Sequence, residues 1–158
     1  MKKTLTIFSI IALVACGRFS NKEKQTDDMR IVSVSKHLTE MIFALGKGHT
    51  LVAVDLSSSF PDSAKLLKTV GYHRALSAES IISMNPDLVV HSNDIGPEAV
   101  LPQLQKVGLN IHAFGGANTL DSAKLLLKDL GNFFNVPQRA DSIIQVMDAD
   151  MKAATDSL

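Results

Sequence analysis

The sequence lacks an excess of charge of either sign. Its 16 basic residues balance 16 acidic residues, so the formal net charge is zero. It also lacks a basic patch and any interleaving of basic with aromatic residues. Recognition of a nucleic-acid backbone depends on clustered positive charge of this kind. We therefore expect no nucleic-acid partner.

The motifs that most often mark an enzyme are also missing. There is no GxGxxG or Walker sequence to cradle phosphate, no GxSxG elbow for a nucleophilic serine and no HExxH pair for zinc. The 5 histidines, at positions 37, 49, 73, 91 and 112, are scattered without the spacing of a zinc site. No motif therefore calls for an enzyme, although their absence leaves one possible, and we predict a protein that is not an enzyme and has no catalytic cofactor. A metal-dependent enzyme that uses these histidines is the alternative from another class.

Cysteine is nearly absent, and the single one, Cys16, cannot form an internal disulfide. It follows Lys2, Lys3 and the apolar run Leu5–Ala15, whose length of about eleven residues fits a signal peptide and is too short to span a bilayer. Small residues directly before a cysteine resemble the bacterial lipobox, in which the cysteine is lipidated. We predict that residues 1–16 are a lipoprotein signal peptide and that Cys16 anchors an exported, periplasmic or cell-surface protein to a membrane. A soluble secreted protein and a buried strand with a chance cysteine are the alternatives.

Between the predicted signal peptide and the first strand, polar and charged residues replace any apolar pattern. We therefore predict that residues 17–29 form a flexible tether. From residue 30 onward, short apolar runs alternate with stripes of apolar residues at helical spacing. The runs are Ile31–Val34, Leu51–Val54, Asp87–Val90 and Asn110–Phe114, and the helical stripes begin near Leu38, Pro97 and Ala123. This alternation indicates right-handed βαβ units. We predict an α/β, Rossmann-like lobe with a parallel sheet over residues 30–136.

The final stretch, residues 137–158, has a different pattern. Pro137 suits an early helical position, and an apolar stripe then continues to Leu158 without a stop signal. We predict one long helix that needs a further surface to pack on.

The densest group of coordinating and charged side chains lies in Val70–Glu79. Gly71 allows a tight turn ahead of Tyr72, His73 and Arg74. If this segment were extended, Tyr72 and Arg74 would point to one side and His73 to the other. Ligands of open parallel sheets bind beyond the carboxyl ends of the strands. The segment could reach that edge, so we look for the binding site here first.

After this group the chain changes to helix. Ser77 can act as the N-cap of a helix that runs to about Met84, with Glu79 in its first turn, where a carboxylate suits the helix dipole.

The chain is similar to the haem-binding members of the periplasmic substrate-binding proteins that serve ABC importers, which are relatives of cobalamin and ferric-siderophore binders. Three blocks show the resemblance. They are Arg30–Ser33 with Thr39-Glu40 and Ala44–Gly46, then Val70–Tyr72 with Arg74–Glu79, and finally Pro86–Val90. The middle block is the one most specific for haem binders. The resemblance covers residue 30 to about residue 136, and implies that residues 137–158 begin a rigid helix between two lobes.

The resemblance also implies roles for single residues. Tyr72 matches the tyrosine that ligates ferric haem iron, a recognised mode of haem ligation. Arg74 could stabilise the phenolate or pair with a haem propionate, and the Lys36–His37 loop could also meet a propionate. His73, which we expect to be solvated, is a weaker rival ligand. Glu79 matches a carboxylate that contacts arginines of the permease.

The family has two lobes, whereas this sequence corresponds to about one. We expect the substrate-binding component of an ABC importer, represented by its N-terminal lobe, which captures haem and delivers it to the permease and its ATPase. Cobalamin or ferric-siderophore binding by the same fold is the close alternative. A truncated lobe that binds nothing is the third possibility.

Overall fold

The computed structural model describes residues 26–157, and five parallel strands form the centre of this part of the chain. The strands are Ile31–Ser33 (β1), Leu51–Val54 (β2), Lys68–Thr69 (β3), Leu88–His91 (β4) and Asn110–Ala113 (β5). Their order across the sheet is β3-β2-β1-β4-β5, so the first strand lies in the middle. Each of the four pairings is parallel. The predicted α/β class is therefore confirmed.

Five α-helices connect and flank these strands. They are Lys36–Ala44 (α1), Ala78–Ile82 (α2), Val100–Lys106 (α3), Leu120–Phe133 (α4) and Pro137–Asp156 (α5), with shorter 3₁₀ turns at Thr26–Asp28, Gly48–Thr50 and Asp62–Leu66. The helix expected to reach Met84 is α2, which ends earlier, at Ile82. The sequence does not predict β3, because its two residues are exposed and offer no apolar alternation.

Apolar side chains cover both faces of the sheet, as a parallel sheet requires. On one face, Ile31 of β1 packs in a core with residues of α1, α4 and α5. On the other face, the next residue, Val32, packs with residues of α2 and α3. Leu88 and Val89 of β4 divide between the two cores in the same way. The sheet is thus the middle of three layers.

Helix α5 packs against the rest of the lobe mainly through its first half. Ala140 and Ile144 are buried. At Gly131 of α4, an added Cβ would come within 2.6 Å of the Ala140 Cβ, so the glycine permits close contact between the two helices. Residues 148–157 are all exposed.

Part of the predicted tether belongs to the folded region. Asp27, in the 3₁₀ turn Thr26–Asp28, forms an ion pair with Lys47. Within residues 26–157, no helix is both long and apolar enough to cross a membrane. The predicted signal peptide, the start of the tether and Cys16 lie outside the described residues.

Candidate functional site

At the carboxyl ends of β1, β2 and β4, buried polar side chains replace the apolar ones of the sheet. Ser33, Ser35, Asp55, His91 and Ser92 are all buried there. Two adjoining cavities of about 290 and 500 Å³ open at this edge, and we call them together the cleft. The first is lined by Lys36, His37, Tyr72, His73, Arg74 and Asp94, and the second shares Lys36, His37 and Asp94. The four residues predicted to bind ligand therefore border a single cavity.

Backbone hydrogen bonds attach the Tyr72 segment to the end of β2. The Val70 N–H donates to the Val54 carbonyl at 3.0 Å, and the Leu56 N–H donates to the Gly71 carbonyl at 2.8 Å. Gly71 has a φ of 103°, which favours glycine. Residues 72–75 then form a turn, closed by the Ala75 N–H donating to the Tyr72 carbonyl at 2.7 Å. We call these four residues the Tyr72 turn. The segment is not extended, so the alternation inferred for an extended chain does not apply.

Tyr72 lies at the surface of the cleft with 45% of its area exposed. Its ring contacts the His73 ring, with 4.4 Å between the centroids and 56° between the planes. Within residues 26–157, its hydroxyl makes no hydrogen bond. An exposed phenol in this setting can coordinate a metal or donate a hydrogen bond to a ligand.

His73 faces two carboxylates. Its Nδ1 lies 3.3 Å from Oδ2 of Asp55, and its Nε2 lies 3.6 Å from Oδ2 of Asp94. Its side chain is only 15% exposed. The expectation that His73 is solvated is therefore wrong, because the Tyr72 turn directs the imidazole inward, against Asp55. Only Nδ1 lies within hydrogen-bonding distance of a carboxylate, so His73 stays a predicted rival to Tyr72 as an iron ligand through Nε2.

Asp55 is a fully buried carboxylate at the end of β2. The Ser57 N–H donates to its Oδ2 at 3.1 Å, the Ser58 hydroxyl donates to its Oδ1 at 2.6 Å, and the Ser57 hydroxyl also contacts Oδ2. These donors offset much of the cost of burying a charge. Asp55 was not among the predicted site residues. The available signal was a carboxylate directly after a buried strand.

Asp94 follows β4 and lies near the His73 imidazole and the Arg74 guanidinium of the Tyr72 turn. Its Oδ1 accepts a hydrogen bond from the Ser92 hydroxyl at 2.7 Å, and its Oδ2 lies 3.8 Å from Nη2 of Arg74. The Ser92 hydrogen bond, aided by His73 and Arg74, lowers the pKa of Asp94 below 3.8. Its side chain remains 54% exposed. Like Asp55, Asp94 was not predicted as a site residue.

The start of α1 forms another part of the cleft. Ser35, the N-cap residue, directs its hydroxyl to Nδ1 of His37 at 3.2 Å and to the Ser92 hydroxyl at 2.9 Å. Nε2 of His37 is buried and has no hydrogen-bond partner among the described residues. Burial lowers the pKa of His37, although the nearby carboxylate of Asp94 opposes this effect. Lys36 is exposed beside it and borders both cavities.

Glu79 lies apart from the cavity-lining residues, in the first turn of α2. Ser77 caps this helix as predicted, accepting a hydrogen bond from the Ser80 N–H at 3.2 Å. The Ser77 hydroxyl donates to the Glu79 carboxylate at 2.7 Å, and this hydrogen bond lowers the pKa of Glu79. The side chain is fully exposed. It is therefore accessible to another protein.

His91 and His112 do not line the cleft. His91 is buried against the Ser92 carbonyl at 2.7 Å, whereas His112 is exposed on β5 and contacts the rings of Phe114 and Phe133. In the part of the chain that the structure describes, no cluster of three or more His, Cys, Asp or Glu side chains could hold a metal ion.

A parallel sheet with a polar cleft at its carboxyl edge defines a ligand-binding α/β lobe. The chain belongs to the periplasmic binding protein family, whose sequence model matches residues 31–158.

Three relatives illustrate the similarity. A vitamin B12-binding protein of Pectobacterium carotovorum is 32% identical over 71% of this chain and 40% of its own length. A periplasmic heme-binding protein of Pseudomonas aeruginosa has a TM-score of 0.76 and 34% identity, over 81% of this chain and 46% of its own. The periplasmic vitamin B12-binding protein BtuF of Vibrio cholerae has a TM-score of 0.67 and 27% identity, over 79% of this chain and 49% of its own. This chain thus spans less than half the length of each.

Proposed function

We propose that this chain forms part of the substrate-binding component of an ABC importer and that its ligand is haem. The observation that supports haem most directly is Tyr72, an exposed phenol at the cleft with no competing hydrogen bond among the described residues. Phenolate is an established ligand of haem iron. In this proposal, Tyr72 is the axial ligand and the protein captures its cargo without a chemical step.

Two cations and a histidine beside Tyr72 suit the two propionates of haem. Arg74 is 65% exposed, and its nearest carboxylate, Asp94, is 3.8 Å away, so the guanidinium can turn to a ligand. Lys36 and His37 border the same cavity. Charge-assisted hydrogen bonds of this kind are stronger than those between neutral groups. We assign Arg74, Lys36 and His37 to propionate recognition.

Cobalamin is the second candidate ligand, because curated relatives at 32% identity are named vitamin B12-binding proteins. A ferric siderophore is the third, since Arg74 and Lys36 could bind an anionic chelate without a metal ligand. Both alternatives use the same cleft. They differ from haem in giving Tyr72 no role as an iron ligand.

The test is titration of the full chain with hemin, the ferric form of haem, followed by visible absorption. Saturation at one hemin per chain with a high-spin ferric spectrum is expected. Tyr72→Phe should weaken binding by more than about 100-fold, beyond the loss typical of groups that only support a metal ligand. The matched control is His112→Ala, which removes an exposed ring outside the cleft.

Three results would contradict haem ligation by Tyr72. An unchanged spectrum in Tyr72→Phe would exclude the phenolate as ligand. Saturable binding of cyanocobalamin or a ferric siderophore, without saturable hemin binding, would transfer the proposal to that ligand. Absence of saturable binding by all three would count against ligand capture by this chain.

Delivery to the permease and its ATPase is the second part of the proposal. We assign the permease contact to Glu79, whose exposed carboxylate can pair with arginine. In cells with the complete importer, Glu79→Arg should reduce haem uptake while hemin binding in solution stays unchanged. Glu98→Arg, which reverses another exposed carboxylate, is the control. Equal uptake by wild type and Glu79→Arg would remove this assignment.

We further propose that the protein is exported and anchored through lipidated Cys16, with α5 as the start of the helix that leads to a second lobe. The exposed second half of α5 supports the latter, since such a helix needs a packing surface. Metabolic labelling with a palmitate analogue tests the anchor. Cys16→Ser should lose the label and leave the membrane fraction, whereas label retained in that variant would exclude lipidation at Cys16.

A further inference from the structure

We infer that His73 is the positioning residue for Tyr72, and that it acts by binding the buried carboxylate of Asp55. This inference rests on the proposed function, in which Tyr72 meets the ligand. A carboxylate only accepts hydrogen bonds, so Nδ1 of His73 donates to Oδ2 of Asp55 across 3.3 Å. His73 thereby ties the Tyr72 turn to the end of β2.

Asp55 is a fixed point of attachment. Its carboxylate is held by Ser57 and Ser58 of its own loop, independently of His73. The Ser58 hydroxyl also contacts the Thr39 hydroxyl at 3.0 Å, which links the loop to α1. A side chain bound to Asp55 is therefore held relative to two elements of the lobe.

The imidazole also provides the surface against which Tyr72 rests. Its side chain is 15% exposed, whereas Tyr72 and Arg74 on either side of it are largely accessible. The centroids of the Tyr72 and His73 rings are 4.4 Å apart. A displacement of His73 therefore removes the support of the Tyr72 ring.

The backbone offers a competing explanation. The Gly96 N–H donates to the His73 carbonyl at 2.8 Å, and the Leu76 N–H donates to the Gly96 carbonyl at 3.0 Å. These two bonds hold the main chain of the turn without any side chain. If they alone were sufficient, replacing the His73 side chain would leave Tyr72 unchanged.

The composition of the chain permits a direct measurement. It contains 1 tyrosine and no tryptophan, so intrinsic fluorescence reports on Tyr72 alone. We would measure anisotropy and acrylamide quenching of the full chain, without ligand and in a non-aromatic detergent.

His73→Phe keeps an aromatic ring beside Tyr72 and removes both nitrogens. His73→Asn removes the ring and retains an N–H donor that can reach Asp55. His49→Asn is the control, an exposed histidine outside the cleft.

In His73→Phe, the quenching constant should rise about twofold as Tyr72 goes from 45% exposed to fully exposed, and anisotropy should fall. In His73→Asn, the ring contact is lost but the hydrogen bond to Asp55 is kept, so the quenching constant should rise less than in His73→Phe. In His49→Asn, both quantities should stay near the wild-type values. Wild-type quenching in His73→Phe would overturn the inference, and so would a rise in His73→Asn equal to that in His73→Phe. Circular dichroism identifies any variant that fails to fold, and the remaining variant then decides.

A hemin titration separates this inference from the proposed function. If wild type binds hemin, His73→Phe should lower the affinity about 10- to 100-fold, the range for residues that orient a metal ligand. Unchanged affinity would overturn the positioning role. If wild type binds no hemin, the proposed ligand is wrong, whereas the ligand-free fluorescence still reports whether His73 holds Tyr72.

Discussion

Two parts of the cleft, the Tyr72 turn and the start of α1, each present a histidine, but they hold it differently. In the Tyr72 turn, His73 lies between the carboxylates of Asp55 and Asp94. At the start of α1, the Ser35 hydroxyl is the one hydrogen-bond partner of His37 among residues 26–157, and Nε2 of His37 is buried without a partner there. The first histidine lies against two carboxylates, whereas burial disfavours a charge on the second.

The difference shows how a cleft can combine a fixed and an adaptable part. A carboxylate with several donors is costly to disturb, because any unpaired charge stays buried. A neutral imidazole with an unsatisfied nitrogen breaks no hydrogen bond at that nitrogen when a ligand or water approaches, and it gains one. We therefore expect Tyr72 to be preorganised and the Lys36–His37 segment to adjust to the ligand.

The largest expected effect tests the fixed part of the cleft and concerns the free energy of unfolding. Asp55→Ala removes the acceptor for Ser57, Ser58 and His73 at a fully buried position. We expect the free energy of unfolding to fall by about 3–5 kcal/mol, as for other broken buried pairs. Urea denaturation followed by circular dichroism measures it.

The matched control is Asp94→Ala. This carboxylate also faces His73 but is 54% exposed, so its loss should cost less than about 1 kcal/mol. Equal losses in the two variants would show that burial of Asp55 does not distinguish the two carboxylates.

The next prediction concerns pH. Burial lowers the pKa of His37 from its ordinary value of 6.5, although Asp94 and Glu40 oppose the shift. The unfolded chain therefore binds a proton at His37 more readily than the folded chain does. His37 should therefore make the free energy of unfolding fall as the pH drops below 6.5 and rise as the pH is brought back toward 6.5. Asp94, with its pKa below 3.8, does not titrate there.

Denaturation of wild type and His37→Gln at about pH 5 and about pH 7.5 measures this contribution. The variant should lose less stability at the lower pH than wild type does. His49→Gln, at an exposed position, should behave like wild type. The same pH dependence in His37→Gln and wild type would contradict burial of a neutral His37.

The smallest expected effect tests the adaptable part of the cleft. If haem is the ligand, Lys36→Ala should weaken hemin binding only about 1.5- to 5-fold, because an exposed ion pair contributes little. The loss should shrink further at high salt. Lys106→Ala, on α3, provides the control. A much larger loss would mean that Lys36 is a fixed part of the site.

The sequence indicated most of the fold because parallel strands buried on both faces have a strong local pattern. Ile31–Ser33 and Leu51–Val54 appear where apolar runs predicted them, and Pro137 begins α5 as its fixed φ favours. Strand β3 has no such pattern, since Lys68 and Thr69 are exposed and their pairing depends on β2 alone.

The candidate site was predictable in part. Four candidate residues were predicted from the sequence, and the structure brings them to one cavity. They are Tyr72 and Arg74, which follow Gly71, and Lys36 and His37, which follow β1. The orientation of His73 was not predictable. It depends on a turn and on Asp55, a residue 18 positions earlier in the chain.

The sequence by itself determined the α/β class, the order of most elements and which edge of the sheet bears the cleft, because periodicity and strand direction are local properties. Only the tertiary structure decided that Asp55 and Asp94 face His73 and that His37 is left with an unsatisfied nitrogen. Those features depend on distances between loops that lie far apart in the sequence. They arise only when β1, β2 and β4 align and bring their carboxyl ends together.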